Sequence, residues 1–232
     1  MKILIVSGFL GAGKTTFIKR LARNVDQRFA ILENEYGAAG IDGARLGQNR
    51  QGTQKNVWEM TEQCICCIGK KDFAASVLTI ANVVDPEYLI VEPTGVGSLA
   101  RIIENLRQIE YERIQLLSPV TIVDVYSYRR YMAEYPELYQ DQIRSADTII
   151  VSKTEACQAE EKQRIQKFLQ EINSQAKIIT DYASTMTRED YQSLLLGGRY
   201  EKEVQDTQSG EKMPETFSFE NIRMEAPETL WC

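Results

Sequence analysis

The chain opens on an apolar run, Ile3-Leu4-Ile5-Val6, which ends in the glycine-rich segment GFLGAGKTT from Gly8 to Thr16. Such a run predicts a buried strand. From Thr15 to Val25 the apolar residues fall at Phe17, Ile18, Leu21, Ala22 and Val25, a helical period. Arg28 to Asn34 (RFAILEN) predicts a second strand. A helix joins the two, so they are expected to lie parallel in one sheet with a right-handed crossover. Tyr36 to Gln54 is glycine-rich and long for a loop, and such loops are usually functional. Val57 to Thr61 leads into a cysteine cluster, and Lys70 to Val84 returns to a helical pattern. Tyr88 to Glu92, Val120 to Val125 and Thr148 to Ser152 are short apolar runs suited to strands covered on both faces. Ala156 to Ile172 reads as an amphipathic helix and Lys177 to Thr180 as a last strand. The alternation predicts an α/β fold, a three-layer, doubly wound, mostly parallel sheet.

The remainder differs in character. Gly197 to Pro214 is polar and reads as a linker, while Glu215 to Met224 alternates like an edge strand. Residues 1–185 are therefore expected to form one nucleotide-binding domain. Residues 186–232 are expected to hold a linker and the start of a truncated or reduced C-terminal module. A 43% hydrophobic fraction supports a full core, and a net charge of −6 argues against nucleic acid as a partner. No run of roughly eighteen apolar residues is present, so no membrane partner is expected and a cytoplasmic location is. The N-terminus has the outline of a signal peptide, but cleavage there would destroy the glycine loop, so a buried strand is the better reading.

Gly8, Gly13, Lys14 and Thr15 satisfy G-x-x-x-x-G-K-[ST] after a strand, the signature of a phosphate loop in a P-loop NTPase. Its N–H groups, over Gly11, Ala12, Gly13, Lys14, Thr15 and Thr16, form a nest for phosphate oxygens. Lys14 adds a point charge, and the Thr15 hydroxyl suits Mg²⁺. A second carboxylate is needed on the metal side. Glu92 ends the YLIVE strand, where ligands bind in open α/β sheets, and Gly95 three residues on can offer an N–H to a γ-phosphate. A strand-ending Glu before a Pro-Thr-Gly turn is the plainer alternative. Ser152-Lys153-Thr154-Glu155 stands where guanine-nucleotide proteins hold Asn-Lys-x-Asp. Glu155 keeps two acceptor oxygens for the two guanine N–H donors, and the Lys153 stem can pack on the ring. A helix cap is the alternative there. Glu33 and Glu35 sit where a first switch would lie, within reach of Mg²⁺ or the attacking water, or are solvated loop acids.

The chain has five cysteines and no histidine. Cys64, Cys66 and Cys67 are too close in sequence to staple a fold and present three thiols for a soft or borderline ion such as Zn²⁺, Cu(I) or Co²⁺. Three ligands with an open fourth position describe a site that hands a metal on. With no histidine, the fourth ligand is water, a carboxylate such as Glu59 or Glu62, or a partner's residue. Buried inert cysteines or a redox pair are the alternatives.

Taken together, these residues resemble the CobW-like branch of the CobW/HypB/UreG metal-handling GTPases. The matching pieces come in family order: GFLGAGKTT at Gly8, ENEYG at Glu33, GIDGA at Gly40, Glu59 five residues before CICC at Cys64, EPTG at Glu92, VDV at Val123 and SKTE at Ser152. The resemblance implies slow GTP hydrolysis coupled to delivery of Zn²⁺, Co²⁺ or another transition metal. The recipient would be a client metalloprotein or a cofactor-assembly enzyme, and a nucleotide-dependent dimer is compatible with it. Carried over, Lys14, Glu35, Glu92 and Gly95 form the catalytic set, with Thr15 and Glu92 on Mg²⁺. Cys64, Cys66 and Cys67 would hold the cargo ion, and Ser152, Lys153 and Glu155 would serve the base. The chain departs from the family pattern at Gln63, usually Gly, and at Ser152 and Glu155. It also lacks a histidine-rich stretch, and at most the first strand of the family's C-terminal domain is represented.

Two rival functions use the same features differently. An ATP-dependent kinase would use the glycine-rich stretch as an acceptor pocket, and a metal-responsive binding protein would use nucleotide only for stability.

Overall fold

The computed structural model describes residues 1–27, 29–33, 57–61 and 70–204. Among them, strands β1 (Lys2–Gly8), β2 (Phe29–Glu33), β3 (Val57–Thr61), β4 (Tyr88–Glu92), β5 (Gln115–Leu116), β6 (Val120–Asp124), β7 (Thr148–Ser152) and β8 (Lys177–Ile179) share one sheet. Its order is β3-β2-β4-β1-β6-β7-β8, with β5 beside β1. Every ladder between these strands is parallel. The helices are α1 (Lys14–Asn24), α2 (Lys70–Val83), α3 (Leu99–Arg107), α4 (Tyr128–Glu134), α5 (Pro136–Arg144), α6 (Ala159–Ile172), α7 (Tyr182–Thr185) and α8 (Arg188–Leu196). This is the α/β, doubly wound, parallel architecture that the alternation of apolar runs predicts.

The strands are buried on both sides, and their period of two sorts the core into layers. Leu4 and Val6 of β1 join Phe29, Ile31, Ile90 and Ile122 under α1, α7 and α8. Ile3 and Ile5 turn the other way, with Ala30, Leu32, Leu89 and Val91, under α2 and α3. Beyond β6 that second face continues as Val123, Ile149 and Val151 beneath α4, α5 and α6. Each fully buried Leu, Ile or Phe contributes about 1.5–3 kcal/mol relative to exposure.

Strand order decides where a ligand can bind. The chain runs outward from β1 through β2 to β3, returns to insert β4 between β2 and β1, and then crosses to β6 on the other side of β1. The order therefore reverses at β1, and a crevice opens beyond the carboxyl ends of β4, β1 and β6.

Helix α6 begins later than the periodicity predicts. The Cys157 N–H bonds back to Thr154 O, so the chain turns once before the helix starts, with Gln158 as its N-cap. Packing also continues beyond residue 185. Helix α8 starts with a reciprocal cap, in which Thr187 Oγ1 accepts from the Asp190 N–H and Asp190 Oδ2 accepts from the Thr187 N–H. Its Tyr191 and Leu195 are buried beside α1, and Tyr200 is buried with its N–H bonded to Leu116 O. Leu195→Ala is expected to destabilise the protein by about 2–5 kcal/mol, read by denaturant unfolding. A change below about 0.5 kcal/mol would mean that α8 is not part of the core.

Candidate nucleotide and metal site

Because the sheet is parallel, the candidate residues gather on one edge. Gly8 ends β1, Glu33 ends β2, Thr61 ends β3, Glu92 ends β4, Asp124 ends β6 and Ser152 ends β7.

The loop after β1 is built by its glycines. Gly11 and Gly13 have φ of 68° and 98°, the left-handed region that side chains rarely adopt, and Gly13 is the N-cap of α1. The loop closes on itself where the Ala12 N–H bonds to Phe9 O at 3.1 Å, and it leads directly into the positive end of α1. No first-turn acid competes for that position. The Thr15 hydroxyl donates to Glu92 Oε1 at 2.9 Å, although the two residues are 77 positions apart. Glu92 is 8% exposed. Two hard oxygens held side by side, next to a phosphate-shaped nest, suit Mg²⁺ rather than a thiophilic ion.

After Glu92 the chain makes a tight turn, with the Gly97 N–H bonded to Thr94 O. Gly95 passes directly beneath the phosphate loop. A Cβ built on it would lie 2.5 Å from Leu10 N and 2.8 Å from Phe9 C, both backbone atoms. The two segments thus touch main chain to main chain. From the other side, the Phe9 ring stacks 4.2 Å from the Tyr131 ring, and the Tyr131 hydroxyl donates to Leu10 O at 3.2 Å. Tyr139, also against Phe9, has its pKa pushed far up, chiefly by burial, so it stays neutral.

Ser152 is 2% exposed, and its hydroxyl donates to Ala12 O at 2.6 Å. It braces the phosphate loop from behind. Lys153 adopts φ 60° and stands half exposed, its Nζ 2.7 Å from Asp124 Oδ2. Asp124 is buried and also accepts from the Tyr126 N–H. Glu155 is exposed on the same turn. Asp181, just after β8, has its carboxyl held below the usual range by hydrogen bonds from Lys162 and then Thr154. That contact ties the Ser152–Glu155 turn to the loop after β8. The helix-cap alternative for Ser152 and Glu155 fails, because Gln158 caps α6.

Lys14, Thr15, Glu92, Gly95 and Ser152 are thus brought together, with Lys153 and Glu155 at the neighbouring strand end. Glu35, Cys64, Cys66 and Cys67 lie outside the described residues. Among the described residues, no group of three or more Cys, Asp or Glu is placed to hold a metal ion. No described helix is long and apolar enough to cross a membrane. Asp124 could have been found as a site residue, since it ends an apolar strand as Glu92 does. Gln142 of α5, whose amide reaches the loop after β4, carried no signal, because polar helix positions usually face solvent.

Residues 2–180 match the nucleotide-binding domain of CobW/HypB/UreG. The chain belongs to that family. It is 30% identical over 178 residues to the zinc chaperone YeiR of Escherichia coli, covering 75% of this chain and 53% of YeiR. It is 27% identical to the zinc chaperone CobW of Pseudomonas aeruginosa, covering 77% of this chain and 56% of that protein. The chain therefore spans only about half the length of these relatives. The crystal structure of Zn(II)-bound YjiA GTPase from E. coli shares the fold, with a TM-score of 0.58 at 19% identity over 87% of this chain and 66% of that one. This CobW/HypB/UreG domain carries the family's phosphate loop on the geometry described above.

Among the described glycines, the close approach at Gly95 makes it the least replaceable after those with positive φ. Gly95→Ala is expected to cost about 1–3 kcal/mol, because the added methyl group must push the two loops apart. Gly198→Ala, which meets nothing within 4 Å, should change stability by less than about 0.5 kcal/mol. Thermal unfolding of both variants reads the difference.

Proposed function

We propose that this chain is a GTP-hydrolysing metallochaperone that binds a transition ion at Cys64, Cys66 and Cys67. Nucleotide state sets its affinity for that ion, which it passes to a client metalloprotein or a cofactor-assembly enzyme. The observation that carries this reading is the strand register. Thr61 pairs with Glu33, and Glu33 pairs with Glu92. The residue from which the cysteine segment departs therefore stands two strands, about 10 Å, from the carboxylate that holds Thr15. Cys64 follows Thr61 by three residues, a contour of about 10 Å. Over that chain length, a rearrangement on the phosphate side can be passed on to the ion. The names of YeiR and CobW, both zinc chaperones, support zinc as the ion, with Co²⁺ also compatible with a thiolate set.

In this reading Thr15 and Glu92 hold Mg²⁺, which offsets charge on the phosphates. Lys14 and the N–H groups of Gly11 to Thr16 hold the phosphate chain, and the Gly95 N–H meets the terminal phosphoryl. Glu35 belongs to the first switch. Ser152 fixes the loop, Lys153 packs along the base under Asp124, and Glu155 accepts from the guanine N–H groups. The sequence contains no histidine to act as base, so hydrolysis rests on positioning and preorganised charge and is slow without a partner. The preference for GTP comes from the two acceptor oxygens of Glu155, for which adenine offers one donor fewer.

Two measurements on purified protein test this. Phosphate release should be slow, faster with GTP than ATP, and lost in Lys14→Ala. Zn²⁺ titration should show one site that Cys66→Ala weakens by about tenfold or more. Equal turnover of ATP, or unchanged Zn²⁺ affinity in Cys66→Ala, would overturn the reading.

A further inference from the structure

Two consecutive side chains of α5 grip the segment that follows β4. Gln142 is 1% exposed, and its Nε2 donates to Gly95 O at 3.1 Å and to Gly97 O at 2.9 Å. Only the NH₂ end of an amide can serve two carbonyls, so the amide's orientation is determined. Asp141 Oδ2 accepts from the N–H groups of Leu99 at 2.7 Å and Ala100 at 3.4 Å, which holds the start of α3 as well. Gln142 Oε1 has no hydrogen-bond partner among the described residues. A buried acceptor left this way is a standing cost, and a side chain needed only to fill space here would be apolar.

Helix α5 is itself well anchored. The Thr121 hydroxyl donates to Gln142 O at 2.9 Å, from the middle of β6. Asn173 Nδ2 reaches Ile143 O at 2.8 Å and Ala146 O at 2.9 Å, and the Tyr200 hydroxyl donates to Ser145 O at 3.0 Å. Gln142 is therefore a fixed point on the core. The segment it holds contains two glycines and lies against the phosphate loop.

We infer that Gln142 is a positioning residue: by fixing the carbonyls of Gly95 and Gly97, it aims the Gly95 N–H at the terminal phosphoryl and sets the preference for triphosphate over diphosphate. This rests on the reading of Gly95 as the phosphate sensor. The diphosphate is held by Gly11 to Thr16, which Gln142 does not touch, so losing the clamp weakens one nucleotide selectively.

The test compares the affinities of a non-hydrolysable GTP analogue and of GDP, with Mg²⁺, in wild type, Gln142→Met and Asn173→Ser. The first substitution removes both donors at similar volume, and the second loosens the far end of α5 without reaching the loop. Gln142→Met should lose analogue affinity by about tenfold, with kcat falling alongside, while GDP affinity is little changed. Asn173→Ser should lower the melting temperature with the affinity ratio preserved. A wild type that discriminates while Gln142→Met discriminates equally would overturn this inference alone, as would an equal loss of ratio in Asn173→Ser. A wild type that binds both nucleotides equally would overturn the sensor reading, and this inference with it.

Discussion

Backbone meets backbone where Gly95 passes beneath Leu10, so closely that even a methyl group would sit 2.5 Å from an amide nitrogen. The rest of the site depends on this contact. Two loops from different strands come this close only because no side chain separates them. The parallel sheet makes the contact possible, since β1 and β4 are neighbours and both end at the same edge. Glycine makes it close, and the turn closed by Gly97 and Thr94 gives it shape.

Around that contact the protein places single polar groups, each with one task. Thr15 and Glu92 join the helix start to the end of β4. Ser152 fastens the phosphate loop to the end of β7, and Gln142 fastens the turn after β4 to α5. The Ser152 and Gln142 bonds are buried and the Thr15–Glu92 bond partly so, and each is worth more to geometry than to net stability, where about 1 kcal/mol is typical. Each fixes a group at the carboxyl edge of the sheet before any ligand arrives.

Much of the architecture was legible because strands buried on both faces leave continuous apolar runs. Residues 3–6, 88–92, 120–125 and 148–152 are such runs, and each is a strand. Helix α1 was legible from its period and its phosphate-loop start. Helices α3, α4 and α5 were not: Leu99–Arg107 is short, and α4 and α5 form one aromatic-rich stretch broken at Pro136. Helix α8 reads as part of a polar tail until Tyr191 and Leu195 are seen against α1. Strand order was beyond reach, since nothing local places β4 between β1 and β2. In the candidate site, the pairing of Thr15 with Glu92 was legible because phosphate chemistry restricts residue type and spacing together. Asp124 ends an apolar run just as Glu92 does, whereas Gln142 acts through long-range contacts that leave no local pattern.

The proposed function requires that nucleotide at this sheet edge changes the affinity of the chain for its ion. Calorimetric titration of Zn²⁺ into protein loaded with a GTP analogue, and separately with GDP, tests this most directly. Binding about tenfold or more tighter in the analogue-loaded state is the expected result. Equal Zn²⁺ affinity in the two states would contradict the account.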